Sequence, residues 1–184
     1  RYSNYTYYLN VTKITDDLII ENVNLSKNNV KCESPVILTV NITNKGVIDQ
    51  TGVNVSVSNS GLNLNDYNDG LTVVKDSTSS LQYTIDTTNK AAGTYNINVL
   101  MKYYSNTLSD SIVVPLTIEN CEPTKLSDIA SPITVDEDSY YDSINITEHF
   151  EDYNNNTLTY GYEGGNNLTV LFLGNGLVNI TPNA

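Results

Sequence analysis

Apolar and polar residues alternate with a period of two through most of the stretch between Cys32 and Cys121, the only two cysteines of the chain. A period of two sends alternate side chains to opposite faces of an extended strand, one face to a core and one to water. Val36, Leu38, Val40 and Ile42 form one inward row, with Thr39, Asn41 and Thr43 facing out. Val53, Val55 and Val57 form the next, then Leu81, Tyr83 and Ile85, then Tyr95, Ile97, Val99 and Met101. Ile112, Val114, Leu116 and Ile118 make the last row, and Leu18 to Leu25 a first strand ahead of Cys32. Asn44-Lys45-Gly46 and Asn89 to Gly93 read as turns, because Asn and Gly tolerate positive φ. The polar run from Asn63 to Gly70 reads as a loop. Pro115 lacks a backbone donor and falls on the outward parity, which places its strand at a sheet edge. Seven or so short strands over about a hundred residues predict an all-β fold, with an immunoglobulin-like sandwich over residues 14–121.

Two further segments flank this block. Residues 1–13 read as an isolated strand, with Tyr5, Tyr7, Leu9 and Val11 on one face and Thr6, Tyr8, Asn10 and Thr12 on the other. No turn signal folds it back, so it is the end of a preceding module or a strand donated elsewhere. Residues 122–132, with Pro123 and Pro132, read as a linker. Residues 133–184 read as a second sandwich that lacks its closing strands; Leu168, Val170 and Phe172 give one strand, and Val178 and Ile180 another. The expected architecture is therefore two sandwiches in tandem, the second incomplete within this chain. An incomplete sandwich exposes an apolar groove and unpaired edges. Either a chain continuing past Ala184 fills that groove, or a donor strand such as residues 5–13 does.

Composition narrows the function classes. The formal net charge is -12 and no basic cluster offsets it, which disfavours nucleic acid and anionic lipid as partners. No apolar run is long enough to span a membrane. Charged residues make up only 16%, and 27 of the 184 residues are Asn. The aromatic residues are 14 Tyr and 2 Phe, with no Trp. The chain opens at Arg1 without a signal-peptide pattern, so any targeting segment or anchor is expected outside these residues.

Two runs carry a resemblance. Ser34-Pro35-Val36-Ile37-Leu38-Thr39-Val40-Asn41-Ile42-Thr43-Asn44-Lys45-Gly46 resembles the second strand of a CARDB-type module, and Ala92-Gly93-Thr94-Tyr95-Asn96-Ile97 resembles a later one. The resemblance covers residues 18 to 121. Residues 133 to 182 resemble the cadherin-like repeats of microbial surface proteins, with the acidic opening Asp136-Glu137-Asp138 and the later run Asp152 to Tyr160. Both resemblances imply immunoglobulin-like modules of archaeal or bacterial cell-surface proteins, with an adhesive or structural and non-catalytic role.

Four constellations bear on chemistry. One His and two Cys give zinc no ligand set, and an even cysteine pair in a secreted β-rich chain reads as a disulfide, Cys32 to Cys121. It joins the start of the main domain to its end. Asn-X-Ser/Thr acceptor sequences occur at Asn4, Asn10, Asn24, Asn41, Asn54, Asn145, Asn155, Asn167 and Asn179. A chain this rich in Asn, Ser and Thr also supplies such matches by chance. At Asn41, Asn54, Asn145, Asn167 and Asn179 the middle residue belongs to an inward row, so the Asn points outward, where a glycan fits. Asp136 and Asp138, with Asp152, Asn154 and Asn156 at i, i+2, i+4 spacing, are candidate calcium ligands; Asx turns and solvated carboxylates are the competing reading. Catalysis has no support, since His149 has no relay partner at suggestive spacing.

These readings point to a structural repeat of an extracellular, glycosylated surface coat or filament. Its partners are adjacent modules or neighbouring copies. An adhesin that binds glycan or protein is the alternative, motivated by the Tyr content, with Tyr140, Tyr141, Tyr153, Tyr160 and Tyr162 as its patch. An accessory domain of an enzyme is the third reading.

Overall fold

The computed structural model describes residues 7, 12, 14–165 and 167–183. It is all-β, with one short 3-10 turn among the described residues. Thirteen strands follow in order among them: β1 Leu18–Leu25, β2 Asn29–Val30, β3 Val36–Asn44, β4 Gln50–Asn59, β5 Leu64–Val73, β6 Thr78–Ile85 and β7 Gly93–Tyr103. Then come β8 Leu108–Ile118, β9 Thr124–Lys125, β10 Tyr141–Asn145, β11 Phe150–Glu151, β12 Leu168–Phe172 and β13 Leu177–Pro182. The chain divides into two compact units. The first takes the described residues up to Asn29, then Ser34–Thr87 and Thr94–Thr117. The second takes Val30–Glu33, Thr88–Gly93 and the chain from Ile118 onward.

The first unit is built from the alternating rows. One sheet has the order β1-β3-β6 and the other β2-β8-β7-β4-β5. Val40 and Ile42 from the first sheet, and Val53, Val55, Val57, Ile97, Val99 and Met101 from the second, are all 0% exposed. Each such side chain contributes about 1.5–3 kcal/mol by leaving water. The two sheets face each other, as a sandwich requires. Tyr83 of β6 donates its hydroxyl to the carbonyl of Val55 in β4 at 3.4 Å and accepts from Asn68 Nδ2 of β5 at 3.2 Å. Burial pushes the Tyr83 phenol above its usual value; the Asn68 hydrogen bond opposes this and the nearby Asp66 adds to it.

The turn after β3 has an explicit lock. Asn44 is fully buried, and its Nδ2 donates to the carbonyls of Ile48 and Val73 at 2.8 and 2.9 Å. Its Oδ1 accepts from Gly46 N at 2.9 Å. A side chain at Gly46 would run into the Thr15 carbonyl, so this turn needs Gly for space.

Two expectations change here. The run expected to be a loop from Asn63 to Gly70 is most of β5, paired to β4 from Asn59↔Leu64 to Gln50↔Val73. β5 ends its sheet, so solvent takes its outer side and polar residues sit there without cost. Pro115 is the second: β8 is not the edge of its sheet, since β2 lies outside it. β8 meets the two-residue β2 only near its end, where Thr117 N donates to the Asn28 carbonyl, so the outer side at Pro115 has no strand partner among the described residues.

The second unit is thinner. Its main sheet has the order β10-β13-β12, and β9 pairs with β11. Ile144, Ile146 and Val178 form its core, with Ile129, Ile133, Tyr141, Phe150, Tyr160, Val170 and Ile180 packed around them. Residues expected to be linker thus lie within it: β9 is in the 122–132 stretch, and Ile129 packs on the core.

Of the expected strand over residues 5–13, Tyr5, Leu9 and Val11 lie outside the described residues; Tyr7 and Thr12 are exposed and in no strand.

Candidate functional site

Cys32 and Cys121 form a disulfide with a Cα–Cα distance of 5.7 Å, across 89 positions of sequence. Both cysteines belong to the second unit. Cys121 is 1% exposed, and its backbone N–H donates to Asn154 Oδ1 at 2.6 Å. Asn154, 2% exposed, donates its Nδ2 to the Lys90 carbonyl at 2.8 Å. One buried carboxamide therefore fastens the disulfide strand to the segment at Lys90.

The residues expected to hold calcium have this other work. Asp152 Oδ1 accepts from the backbone N–H groups of Asn154 and Asn156 at 2.9 and 3.0 Å. That is an Asx turn, in which a carboxylate organises its own backbone. Asn156 Nδ2 donates to Asn120 Oδ1. The carbonyl of Asp136 accepts from Ser139 N and Oγ, and Asp138 has a positive φ of 65° in that turn. Among the described residues no three His, Cys, Asp or Glu side chains gather as a metal site.

The acceptor asparagines divide by setting. Asn41 and Asn54 stand on strands beside Ile42 and Val55, both 0% exposed, so their own side chains point away from the core. Asn41 and Asn24 each donate Nδ2 to Asn22 Oδ1, at 2.7 and 3.0 Å. Asn54 bonds Asn106 and the Gly70 N–H. Asn145 ends β10, paired with Leu177, beside the buried Ile146; it also caps the 3-10 turn Ile146–Glu148, accepting from Thr147 N and donating to Glu148 Oε1. At Asn167 the middle residue Leu168 is 39% exposed, so the inward row is uncovered there. Asn179 accepts from Thr181 Oγ1, and Asn155 is exposed at φ 57°. Asn4 and Asn10 lie outside the described residues.

His149 Nδ1 lies 2.8 Å from Ser127 Oγ. No carboxylate bonds the imidazole among the described residues, so the pair lacks the third member of a nucleophilic relay.

The second unit carries a groove walled in part by apolar rings. Phe150, Tyr160 and Phe172 form a row of rings, with centroids 6.3 Å apart at each step. They border an open pocket of about 590 Å³ and a smaller one of about 340 Å³, which share Ile146, Phe150, Leu158, Tyr160 and Phe172. Glu151 and Asp152 stand on the larger pocket's wall. Along β12, Leu168, Leu171 and Phe172 are 39%, 55% and 36% exposed, an apolar strand with its surface unfinished. Of the five tyrosines considered as an adhesive patch, Tyr160 is taken into the ring row and Tyr141 packs on the core. Tyr140 and Tyr162 are exposed at 63% and 49%.

The chain matches no protein-family model and no curated protein sequence.

Proposed function

We propose that this chain is a non-catalytic structural module of an extracellular, glycosylated surface protein or fibre, with tandem immunoglobulin-like sandwiches as its architecture. The disulfide carries the reading. A Cys32–Cys121 bridge across 89 positions belongs to an oxidising compartment. It also makes the chain between them a side loop of a shorter covalent path. A repeat that must stay folded while its ends are pulled gains from that arrangement. The acidic surface, the outward-facing acceptor asparagines Asn41 and Asn54, and the resemblance to CARDB-type and cadherin-like repeats support the same reading.

The test is made on protein recovered from its native source. Non-reducing peptide mapping should return a Cys32–Cys121 linked pair, and mass spectrometry should find sugar on peptides bearing Asn41 or Asn54. Free thiols and unmodified asparagines in a soluble intracellular fraction would remove the reading. Exposed Tyr140 and Tyr162 favour the adhesin as the second reading; saturable binding on a glycan or host-protein array, abolished by Tyr140→Ala, would replace the first with it.

A further inference from the structure

We propose that the free edge of β12 accepts residues 5–13 of a second copy of this chain as an added antiparallel or parallel strand, joining copies head to tail. The proposal deepens the structural-module reading and rests on it.

The acceptor is specific. Among the described residues β12 pairs with β13 alone; Leu168 N is taken by the Gly165 carbonyl, and the rest of its other edge has no strand partner there. Leu168, Val170 and Phe172 share one face of β12, and only Val170 is packed on the core. Leu168 and Phe172 extend that face into solvent, next to the groove walled by Phe150, Leu158 and Tyr160. A strand laid on this edge supplies the missing hydrogen bonds, while its alternate side chains fill the groove.

The donor fits in pattern and in charge. Tyr5, Tyr7, Leu9 and Val11 alternate on one face, as a groove-filling strand requires. The acceptor residues Asn4 and Asn10 fall on the other face, so glycans there would point away from the seam. Residues 1–13 contain Arg1 and Lys13 and no acid, whereas residues 118–184 contain eleven Asp and Glu against the single Lys125. Glu151 and Asp152 at the groove attract such a segment and repel most of the remaining chain.

The first unit takes its chain in at one end and releases it at the other. Leu18 pairs with Asn44 at one end of β1, and Leu25 with Leu38 at the other. The segment before Ile14 enters at the Asn44 end, where the Thr15 carbonyl accepts from Val47 N. The chain leaves the first unit at Thr117, bonded to Asn28 just past Leu25. Entry and exit are therefore at opposite ends of a strand about 25 Å long. Such a head-to-tail contact is heterologous and propagates into a filament.

The experiment uses the full chain and the double variant Leu9→Asp/Val11→Asp, which cannot donate but keeps its acceptor. Light scattering over a concentration series should show growing oligomers for the native chain and monomers for the variant. A synthetic peptide of residues 1–13 should bind the variant one to one and protect residues 158–172 from proteolysis. A peptide of the same composition with the alternation scrambled should bind at least about tenfold more weakly. Equal assembly of native chain and variant, or no peptide binding, would overturn strand donation. Peptide binding with a native chain that stays monomeric would show donation within one chain and overturn the second copy. None of these outcomes touches the compartment or the disulfide, so the broader reading would stand or fall separately.

Discussion

The backbone N–H of Cys121 donates to Asn154 Oδ1 at 2.6 Å, so the disulfide and the Asp152–Asn156 turn are one construction. The cross-link holds the chain ends of the Cys32–Cys121 loop together, and Asn154 ties it to the Lys90 segment within the second unit. Asn154→Ala leaves the Cys121 donor without its partner in a buried site. The expected loss is about 1–3 kcal/mol in chemical denaturation of the second unit. The loss should be the same in calcium and in chelator, because Asp152 is already satisfied by two backbone donors. A loss that calcium restores would assign the turn to an ion instead.

Gly176 sets the entry to β13. Its φ is +85°, and a Cβ there would come within 2.6 Å of Thr147 Cγ2 and 2.7 Å of Asn145 Oδ1. Its carbonyl accepts from Ile146 N at 2.8 Å, which ties the 3-10 turn to the strand. Gly176→Ala should destabilise the second unit by about 1–3 kcal/mol and leave the first unchanged. Hydrogen exchange resolves the two units; uniform loss of protection in both would contradict the prediction.

Tyr83 gives a pH signature. Burial raises its pKa in the folded state, so the neutral phenol is the favoured form. Its contribution is present in full below the ordinary Tyr value near pH 10 and is lost as pH rises through the higher folded value. The midpoint temperature of the native protein should therefore fall above about pH 10. Tyr83→Phe should show a shallower fall over the same range, since it has no phenol to ionise. Parallel pH curves for the two proteins would remove Tyr83 as a source.

Much of the first unit was legible because burial and period coincide there. Val36 to Ile42 and Val53 to Val57 alternate in sequence and are buried in the same alternation. β5 was not legible: its Asn and Asp residues read as a loop, and only pairing to β4 makes it a strand. Asn154 is legible as a ligating side chain but its partners are not, because a carboxamide that can ligate an ion can also bond a backbone group. No local signal marks Lys90 and Cys121 as its neighbours, 64 and 33 positions away. The unfinished face of β12 was legible only as an absence of closing strands; its ring row of Phe150, Tyr160 and Phe172 comes from tertiary contact.

The Asn22 carboxamide receives both Asn24 and Asn41, two acceptor sites on paired strands. Two glycans so close on adjacent strands of one face would crowd each other. Occupancy should therefore be anticorrelated, with few molecules modified at both positions. Intact-protein mass spectrometry of the native material checks this. Full occupancy of both sites in the same molecules would contradict it.

The load path is the direct test of the structural role. The chain enters at Leu18, runs extended along β1 to Leu25, and soon reaches Cys32. From there tension crosses the S–S bond to Cys121 and bypasses the loop that contains β3 to β8. Single molecules held at their two ends should be pulled first under oxidising conditions and then with reductant. The expected record shows no step from the Cys32–Cys121 loop before reduction, only that of the strands after Cys121, and an added extension of about 300 Å after it, the contour length of the released loop. A step of that length under oxidising conditions would contradict the load-bypassing role of the Cys32–Cys121 bridge.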